Sequence, residues 1–374
     1  MLSARLTLVV YALLAIAGIG LAGHKGRLPH PELAAAEDAG NAPTAADLQL
    51  YREIIAEVRG GADYYEVARQ KLPQFGFPIS SPFNWRLPTY AWLFASVRDN
   101  RWLQGALIAL GVGGLGLAFV AERRRSNNPW QSLLVAGLLF GVFRWTFDGE
   151  AYLAQEVWAG VLLMISLAAQ FLAGEDSPPA RSRWIVLSVL AGTAALLIRE
   201  LALPYCLLAG VLAAGRRRWW EAAGWIAGIL AFGLFLAWHI GQVQHQQAGA
   251  SGDTAAGLGQ WLRFGGLDFV LLTTRMNSLG FTAPAMLLWL YVLAAAVGSS
   301  RQTDSASRLG CLAAQGYLLA FAVVGRPENF YWGLLAAPFL AWGAAQAPAA
   351  LAELWRQAHD HSATRLSAPI RPAI

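Results

Sequence analysis

The 374-residue sequence is poor in charge and in cysteine, and each shortage argues against a class of protein. Charged residues make up only 14% of the chain and hydrophobic residues 56%, with a mean hydropathy of +0.42. This balance is too apolar for an ordinary soluble domain and is typical of a polytopic membrane protein. The two cysteines, Cys206 and Cys311, both fall within apolar runs. A fold held by a disulfide framework is therefore not indicated.

The sequence also lacks the short motifs of several enzyme classes. It contains no Gly-rich phosphate loop, no G-x-S-x-G and no H-E-x-x-H, so nucleotide hydrolysis and the commoner protease chemistries are not indicated. His239 and His245 have a spacing that does not suit a helical metal pair, and no metal site is predicted. The pI near 9.4 comes largely from arginine clusters between apolar runs, which mark inside loops. Nucleic acid is therefore not an expected partner.

What the sequence does contain is a series of long apolar runs. We predict an all-α polytopic membrane protein with about ten transmembrane helices, within a range of 8–12, forming one domain over residues 1–350. Arginine clusters at 123–125 and 216–218, and the tail at 351–374, are expected inside. The segments 88–97 and 267–279 are too short or too weak to be secure spans. The expected crossings are 6–22, 102–121, 130–147, 152–173, two within 184–215, 220–240, 283–297, 309–324 and 332–346.

The hairpin at 184–215 is unusually short. Basic residues flank it on both sides, so it must cross the membrane twice, yet two full spans need about forty residues. Its apex at Arg199 and Glu200 is therefore expected to lie below the outer membrane surface. Adjacent residues on a helix point about 100° apart, so each of these two side chains is expected to need another partner.

Two outer loops are predicted, at 23–100 and 241–281. The first contains apolar residues at helical spacing, ended by the pair Gly60-Gly61, which predicts a short amphipathic helix near the membrane. Thr44 and Asp47 form a T-x-x-D pattern at its start. Stabilisation of the helix N-terminus by the Asp47 carboxylate is therefore the alternative to a catalytic role. The second loop has the composition of a mobile flap.

The ionisable residues close to the apolar runs all fall on the outer face in this topology. Each costs about 2.5–3.5 kcal/mol at membrane depth, so such groups usually pair with one another or line a polar cavity. Their coincidence on one side predicts a single outward cavity that is also open to lipid. The residues are Asp47, Asp63, Arg86, Arg144, Asp148, Glu150, Glu156, Arg199, Glu200, Arg326 and Glu328.

Transfer of a sugar from a lipid phosphate suits such a cavity. A carboxylate can take the proton of an acceptor hydroxyl as it attacks the anomeric carbon, and arginines can stabilise the departing phosphate. Two other classes stay open. A transporter or flippase for a lipid-linked glycan would line its path with the same charges, and a non-catalytic partner in polysaccharide assembly would not need Asp47 to be charged.

Several segments resemble a known family. The D-x-x-x-Y element of Asp47 and Tyr51, the G-x-D-Y-Y that follows, and GFPISSPFNWRLPTY are similar to the GT-C superfamily of polyprenyl-phosphate-sugar-dependent glycosyltransferases. LLIRELALPY and GRPENFYWGLLAAPFL extend the resemblance over most of the chain. The bacterial branch of polyprenyl-phosphate-mannose-dependent mannosyltransferases is the most similar.

The resemblance implies a site and a location. Asp47 would be the catalytic base, and outer-face arginines, with Arg199, Arg326 and Arg86 as candidates, would hold the donor phosphate. Many members carry an acidic pair, whereas Leu48 follows Asp47, so Asp63 and Glu150 stand as reserve bases. The residues expected to line the cavity and meet the acceptor are Tyr51, Tyr64, Tyr65, Asp148, Glu200 and Glu328.

The expected partners are a polyprenyl-phosphate-linked sugar, a glycan or lipid acceptor and membrane lipid. No cofactor is assigned, and a divalent metal stays open. The resemblance implies the bacterial inner membrane, with the site facing the periplasm or the cell exterior.

Overall fold

The computed structural model describes residues 4–24, 43–80, 82–248, 264–301 and 304–366. Residues 25–42 of the first predicted loop, residues 249–263 of the second and the end of the tail after residue 366 lie outside these ranges. The regular elements of the described residues are all helical, as predicted. The α-helices are α1 (Ala4–His24), α2 (Pro43–Arg59), α3 (Tyr64–Gln74), α4 (Pro88–Ala95), α5 (Asn100–Ser126), α6 (Pro129–Phe143), α7 (Gln155–Glu175), α8 (Pro178–Ile198), α9 (Leu203–Gly215), α10 (Trp219–Gln247), α11 (Gly266–Thr274), α12 (Ala285–Ser299), α13 (Ser305–Val323) and α14 (Gly333–Leu366).

The prediction of about ten membrane crossings is confirmed. Eight segments, built on α1, α5, α6, α7, α8, α10, α13 and α14, are long and apolar enough to cross a membrane. The shorter apolar helices α9 and α12 bring the number to ten within the described residues. α4 and α11, which match the two weak segments, have 8 and 9 residues and are too short to span.

The centre of the bundle is α7, which is buried on nearly all of its faces. Glycines on α7 and on nearby helices allow close contact between helix backbones, as small residues do in membrane bundles. A Cβ on Gly160 of α7 would lie 2.6 Å from the Leu334 carbonyl oxygen of α14. A Cβ on Gly298 of α12 would lie 1.9 Å from the Gly343 carbonyl oxygen of α14. α14 therefore packs against both helices through backbone contacts that a side chain would block.

The bundle has two chemically different ends. One, the arginine end, carries Arg123–Arg125 at the close of α5 and Arg216–Arg218 between α9 and α10. There the fully buried Glu122 carboxylate accepts hydrogen bonds from Arg125, from Trp342 Nε1 at 3.1 Å and from Gln346 Nε2 at 3.0 Å. This cluster joins α5 to α14. The opposite end, the site end, consists of α2 to α4 and the 3₁₀ turns Arg144–Phe147, Glu200–Ala202 and Pro327–Trp332.

The short hairpin of α8 and α9 corrects one prediction. α9 has only 13 residues, and Arg199 at the apex is 1% exposed, so the apex is buried within the bundle, while its depth below the outer membrane surface stays a prediction. Arg199 Nη1 nevertheless lies 2.7 Å from Glu200 Oε1, so the two adjacent side chains do pair. The expectation that they could not was wrong because Arg199 has an extended backbone, with φ −142° and ψ 112°, and is not helical.

The segment predicted as the first outer loop contains three short helices, α2, α3 and α4. α2 ends before Gly60-Gly61 as predicted, and Gly61 has φ +96°, which glycine adopts without strain. The side chain of Thr44 lies outside the described residues, so the proposed cap of α2 stays a prediction. The helix α3 is an addition to the predicted elements, and it contains Pro73, a residue that often breaks helices, in its last turn.

Candidate functional site

Asp47 on α2 faces the 3₁₀ turn Pro327–Trp332 at the site end. The Tyr331 hydroxyl donates to Asp47 Oδ2 over 3.5 Å, a long hydrogen bond, and lies 3.2 Å from Asn329 Oδ1. The other carboxylate oxygen, Oδ1, is buried and has no hydrogen-bond partner among the described residues. Buried polar atoms are normally paired, so this oxygen is available to a ligand. Sequence reasoning missed Tyr331, although it stands within the quoted segment GRPENFYWGLLAAPFL.

Arg86, one of the predicted phosphate-binding arginines, lies close enough to Asp47 to interact with its charge. Its Nε donates to the Tyr51 hydroxyl at 2.9 Å. Tyr51 follows Asp47 by four residues on α2, so the D-x-x-x-Y spacing puts both side chains on the same face of the helix. The family-like element therefore brings a carboxylate, a phenol and a guanidinium together.

The pKa of Asp47 is raised from 3.8 to about 6. Burial is the main cause, since removal from water disfavours the charged carboxylate. The nearby positive charges of Arg86 and Arg199 and the Tyr331 hydroxyl oppose this rise, while the negative charge of Glu156 adds to it. A carboxyl group with a pKa near 6 can hold and release a proton close to neutral pH, as a general base requires.

Arg199 lies between two carboxylates. Its Nε is 2.7 Å from Glu156 Oε1, and its Nη1 is 2.7 Å from Glu200 Oε1. Glu156 stands in the first turn of α7, and its side chain is 7% exposed. The sequence placed Glu156 among the outer-face charges but not in the site. The ion pair could not be found from the sequence because α7 and α8 meet there only in the folded bundle.

Arg326 and Glu328 flank Pro327 in the turn that carries Tyr331. Arg326 Nε is 2.9 Å from Glu328 Oε1, and both residues are partly buried. The Glu328 Oε2 atom is buried without a hydrogen-bond partner in the described parts of the chain. The turn that contacts Asp47 through Tyr331 therefore also carries one guanidinium and one carboxylate oxygen without a hydrogen-bond partner among the described residues.

A cleft of about 420 Å³, counting its space open to solvent, lies between α10 and the segment before α4. Arg86, Glu200 and His239 line it, together with apolar residues such as Leu236. The cleft therefore joins the predicted phosphate-binding residue Arg86 to the apex of the short hairpin. Its mixed apolar and charged walls suit an amphiphilic ligand.

Three other predicted site residues, all acidic, lie on the protein surface. Asp63 is exposed and caps α3, accepting from Tyr65 N at 2.9 Å and Glu66 N at 3.1 Å, so its reserve role as base is not supported. Glu150 is exposed and pairs with Arg52. Asp148 is likewise exposed on the surface.

Tyr64 and Tyr65 do not line the cleft. Both are buried in a small apolar core formed by α2, α3 and neighbouring residues. The Tyr64 hydroxyl donates to the Arg86 carbonyl oxygen, and the Tyr65 hydroxyl bonds to His239. Among the described residues, no three side chains of His, Cys, Asp or Glu come together to hold a metal ion.

The fold and this charged end define an all-helical membrane protein with a recessed polar site at one end of its bundle. It is similar to a crystal structure of ArnT from Cupriavidus metallidurans bound to undecaprenyl phosphate, with a TM-score of 0.51 and 14% identity. That match covers 96% of this chain and 63% of the ArnT chain.

A crystal structure of the same protein in the apo state matches with a TM-score of 0.41 and 14% identity, over 73% of this chain and 48% of that one. No family model matches the sequence, and no curated protein matches it. At this identity the likeness to the undecaprenyl phosphate complex establishes a shared fold, and this chain spans somewhat under two thirds of the length of ArnT.

Proposed function

We propose that the chain is a GT-C membrane glycosyltransferase that moves a sugar from a polyprenyl phosphate to a glycan or lipid acceptor. The observation that carries the proposal is Asp47, a partly buried carboxylate with one buried, unpartnered oxygen among the described residues, in the same constellation as Arg86. The fold supports it, since ArnT is a GT-C glycosyltransferase and was crystallised with a polyprenyl phosphate.

Each step of the transfer can be assigned to residues of the site end. Asp47 takes the proton of the acceptor hydroxyl while the acceptor oxygen forms a bond to the anomeric carbon. The bond from that carbon to the phosphate oxygen breaks, and the lipid phosphate leaves with the electron pair. A guanidinium beside the phosphate stabilises the charge that develops on it.

Arg86 is the best placed of the three candidate arginines for the phosphate. Its hydrogen-bond partner Tyr51 is uncharged, and no carboxylate forms an ion pair with Arg86 within the described ranges of the chain. Arg199 and Arg326 already pair with carboxylates, so each would bring less net positive charge. We therefore assign Arg86 as the first phosphate ligand, with Arg199 and Arg326 in support.

We further place the reaction on the outer face of a bacterial inner membrane. The arginine end of the bundle carries the clusters that mark the cytoplasmic side of membrane proteins, which leaves the site end outside. A sugar linked to polyprenyl phosphate can be the donor on that face, so the reaction needs no soluble nucleotide sugar there. A mannosyl donor is the first to try, because the sequence resembles mannosyltransferases.

A panel of donors tests the function. We expect the purified protein to release lipid phosphate from one polyprenyl-phosphate hexose and to pass labelled sugar to a glycan or lipid acceptor. Nucleotide sugars serve as the matched control and should not be consumed. If no donor is cleaved and labelled lipid-linked glycan instead crosses the membrane of protein-loaded vesicles, the chain is a transporter.

The pH profile tests the base. Because burial raises the pKa of Asp47 to about 6, the carboxylate is ionised above that pH and becomes protonated below it. We expect kcat/KM to be level above about pH 7 and to fall roughly tenfold per pH unit well below pH 6. A profile that stays level down to about pH 4.5 would show that the base has an ordinary carboxyl pKa or is another residue.

A further inference from the structure

Arg86 lies on a short connector between the 3₁₀ turn Pro82–Asn84 and α4, and both carbonyls around it are held. The Trp85 carbonyl oxygen is 3.0 Å from His239 Nε2, and the Arg86 carbonyl oxygen accepts from the Tyr64 hydroxyl. His239 belongs to α10, a membrane-spanning helix, whereas Tyr64 belongs to α3. The backbone at Arg86 is therefore fastened from two sides by two separate elements.

The direction of the hydrogen bonds follows from the groups involved. A carbonyl oxygen can only accept, so His239 must carry hydrogen on Nε2. In the neutral ring Nδ1 then has only a lone pair, and the Tyr65 hydroxyl, 2.9 Å away, donates to it. The Trp85 carbonyl thus fixes the tautomer of His239, and the Tyr65 hydroxyl satisfies the other ring nitrogen.

This arrangement is buried and built by local sequence. Tyr64, Tyr65, Trp85 and His239 are each 2–3% exposed. The Asp63 cap starts α3 at Tyr64, which places both tyrosines in its first turn. A buried carbonyl that loses its donor is left without water to replace it, so the connector would have to move to recover a partner. We call these four residues the Arg86 latch.

We propose that His239 is a positioning residue that acts through the Trp85 carbonyl to hold the Arg86 guanidinium against Tyr51 and the cleft, with Tyr65 bonded to its second ring nitrogen. The inference rests on the proposed function, in which Arg86 binds the donor phosphate. His239 also lines the cleft, but both of its ring nitrogens are occupied within the latch. Its effect on the ligand therefore passes through Arg86.

Binding of undecaprenyl phosphate without sugar tests the latch. His239→Leu removes both hydrogen bonds at similar volume and should weaken binding roughly tenfold, about the effect of one well-made interaction. His239→Gln keeps an N–H that can reach Trp85 and should bind within about threefold of wild type. Gln131→Leu is the matched control, since it removes a 2.7 Å bond to the Ala345 carbonyl at the arginine end and should leave binding unchanged.

A double-mutant cycle separates positioning from general stability. In an Arg86→Ala background, His239→Leu should produce no further loss of binding, because its effect passes through the missing guanidinium. Additive losses of the two changes would overturn the proposal, as would equal losses in the Leu and Gln variants.

Hydrogen exchange provides a readout that needs no ligand. Amides of residues 82–90 should exchange faster in His239→Leu than in wild type, while those of α7 stay protected. Unchanged exchange at 82–90 would also overturn the latch. If wild type binds no lipid phosphate at all, the proposed function fails, and the exchange measurement still decides whether His239 holds the connector.

Discussion

Asp47→Asn is expected to lower sugar transfer by roughly 10²–10⁴-fold, the usual contribution of a general base, and to leave the protein folded. Asparagine has the same shape as aspartate but cannot take the proton of the acceptor hydroxyl. The steady-state rate with the donor identified by the panel measures the loss. Unchanged binding of undecaprenyl phosphate would show that the loss lies in the chemical step.

The same substitution should not destabilise the protein. The pKa of Asp47 is higher in the folded state, so the protonated form favours folding below pH 3.8, and this contribution is lost as pH rises through about 6. At neutral pH the folded chain carries a buried charge that asparagine removes. We therefore expect the Tm of Asp47→Asn at pH 7 to equal or exceed that of wild type.

Three further variants test whether Asp47 or another carboxylate is the base. Asp99→Asn is the matched control, because Asp99 caps α5 by accepting from Arg101 N and asparagine caps equally well. It should leave both rate and Tm unchanged. Asp63→Asn and Glu150→Gln test the two reserve bases. A large loss in either, with near-normal turnover in Asp47→Asn, would move the base to that residue.

Arg199→Ala is expected to cost about 3–5 kcal/mol of folding free energy, the usual result of removing one partner from a buried ion pair. The side chains of Arg199 and Glu156 are only 1% and 7% exposed, so the glutamate left behind could not be solvated. The Tm in detergent and the yield of monodisperse protein measure the effect. Adding Glu156→Gln to Arg199→Ala should restore part of the loss, because it removes the unpaired charge.

Arg326→Ala is the matched control for Arg199→Ala at the same end of the bundle. The side chains of Arg326 and Glu328 are 37% and 18% exposed, and such partly solvated pairs contribute only about 0–1 kcal/mol. We expect its Tm to stay close to that of wild type. If Arg199→Ala has the same Tm as Arg326→Ala and loses only donor binding, Arg199 is a phosphate ligand rather than a brace of the bundle.

The number and order of the membrane helices followed from the sequence, because apolar runs and basic clusters are local features. The prediction of a recessed apex came from one count, the thirty or so residues between two basic groups, and Arg199 is buried within the folded bundle. Asp47 and Tyr51 could be paired from helical spacing alone. These predictions depend on neighbours in the chain or on the thickness of the membrane.

The contacts that complete the site could not be found in the same way. Tyr331 meets Asp47, and Glu156 meets Arg199, only because separate helices pack together. The G-x-D-Y-Y motif makes Asp63 visible as a candidate base, whereas its role as a helix cap depends on α3, whose last turn contains Pro73. From the sequence alone, an acidic N-cap of an unpredicted helix cannot be distinguished from a catalytic carboxylate.

The contact between Tyr331 and Asp47 joins residues that are 284 positions apart. At roughly 5–20 residues per second, a ribosome needs about 15–60 s to make the chain between them. During that time α2 exists without the turn that faces Asp47. A growing chain therefore cannot assemble this constellation until the turn Pro327–Trp332 has been made, so Asp47 waits for its partner Tyr331 while the helices between them are synthesised.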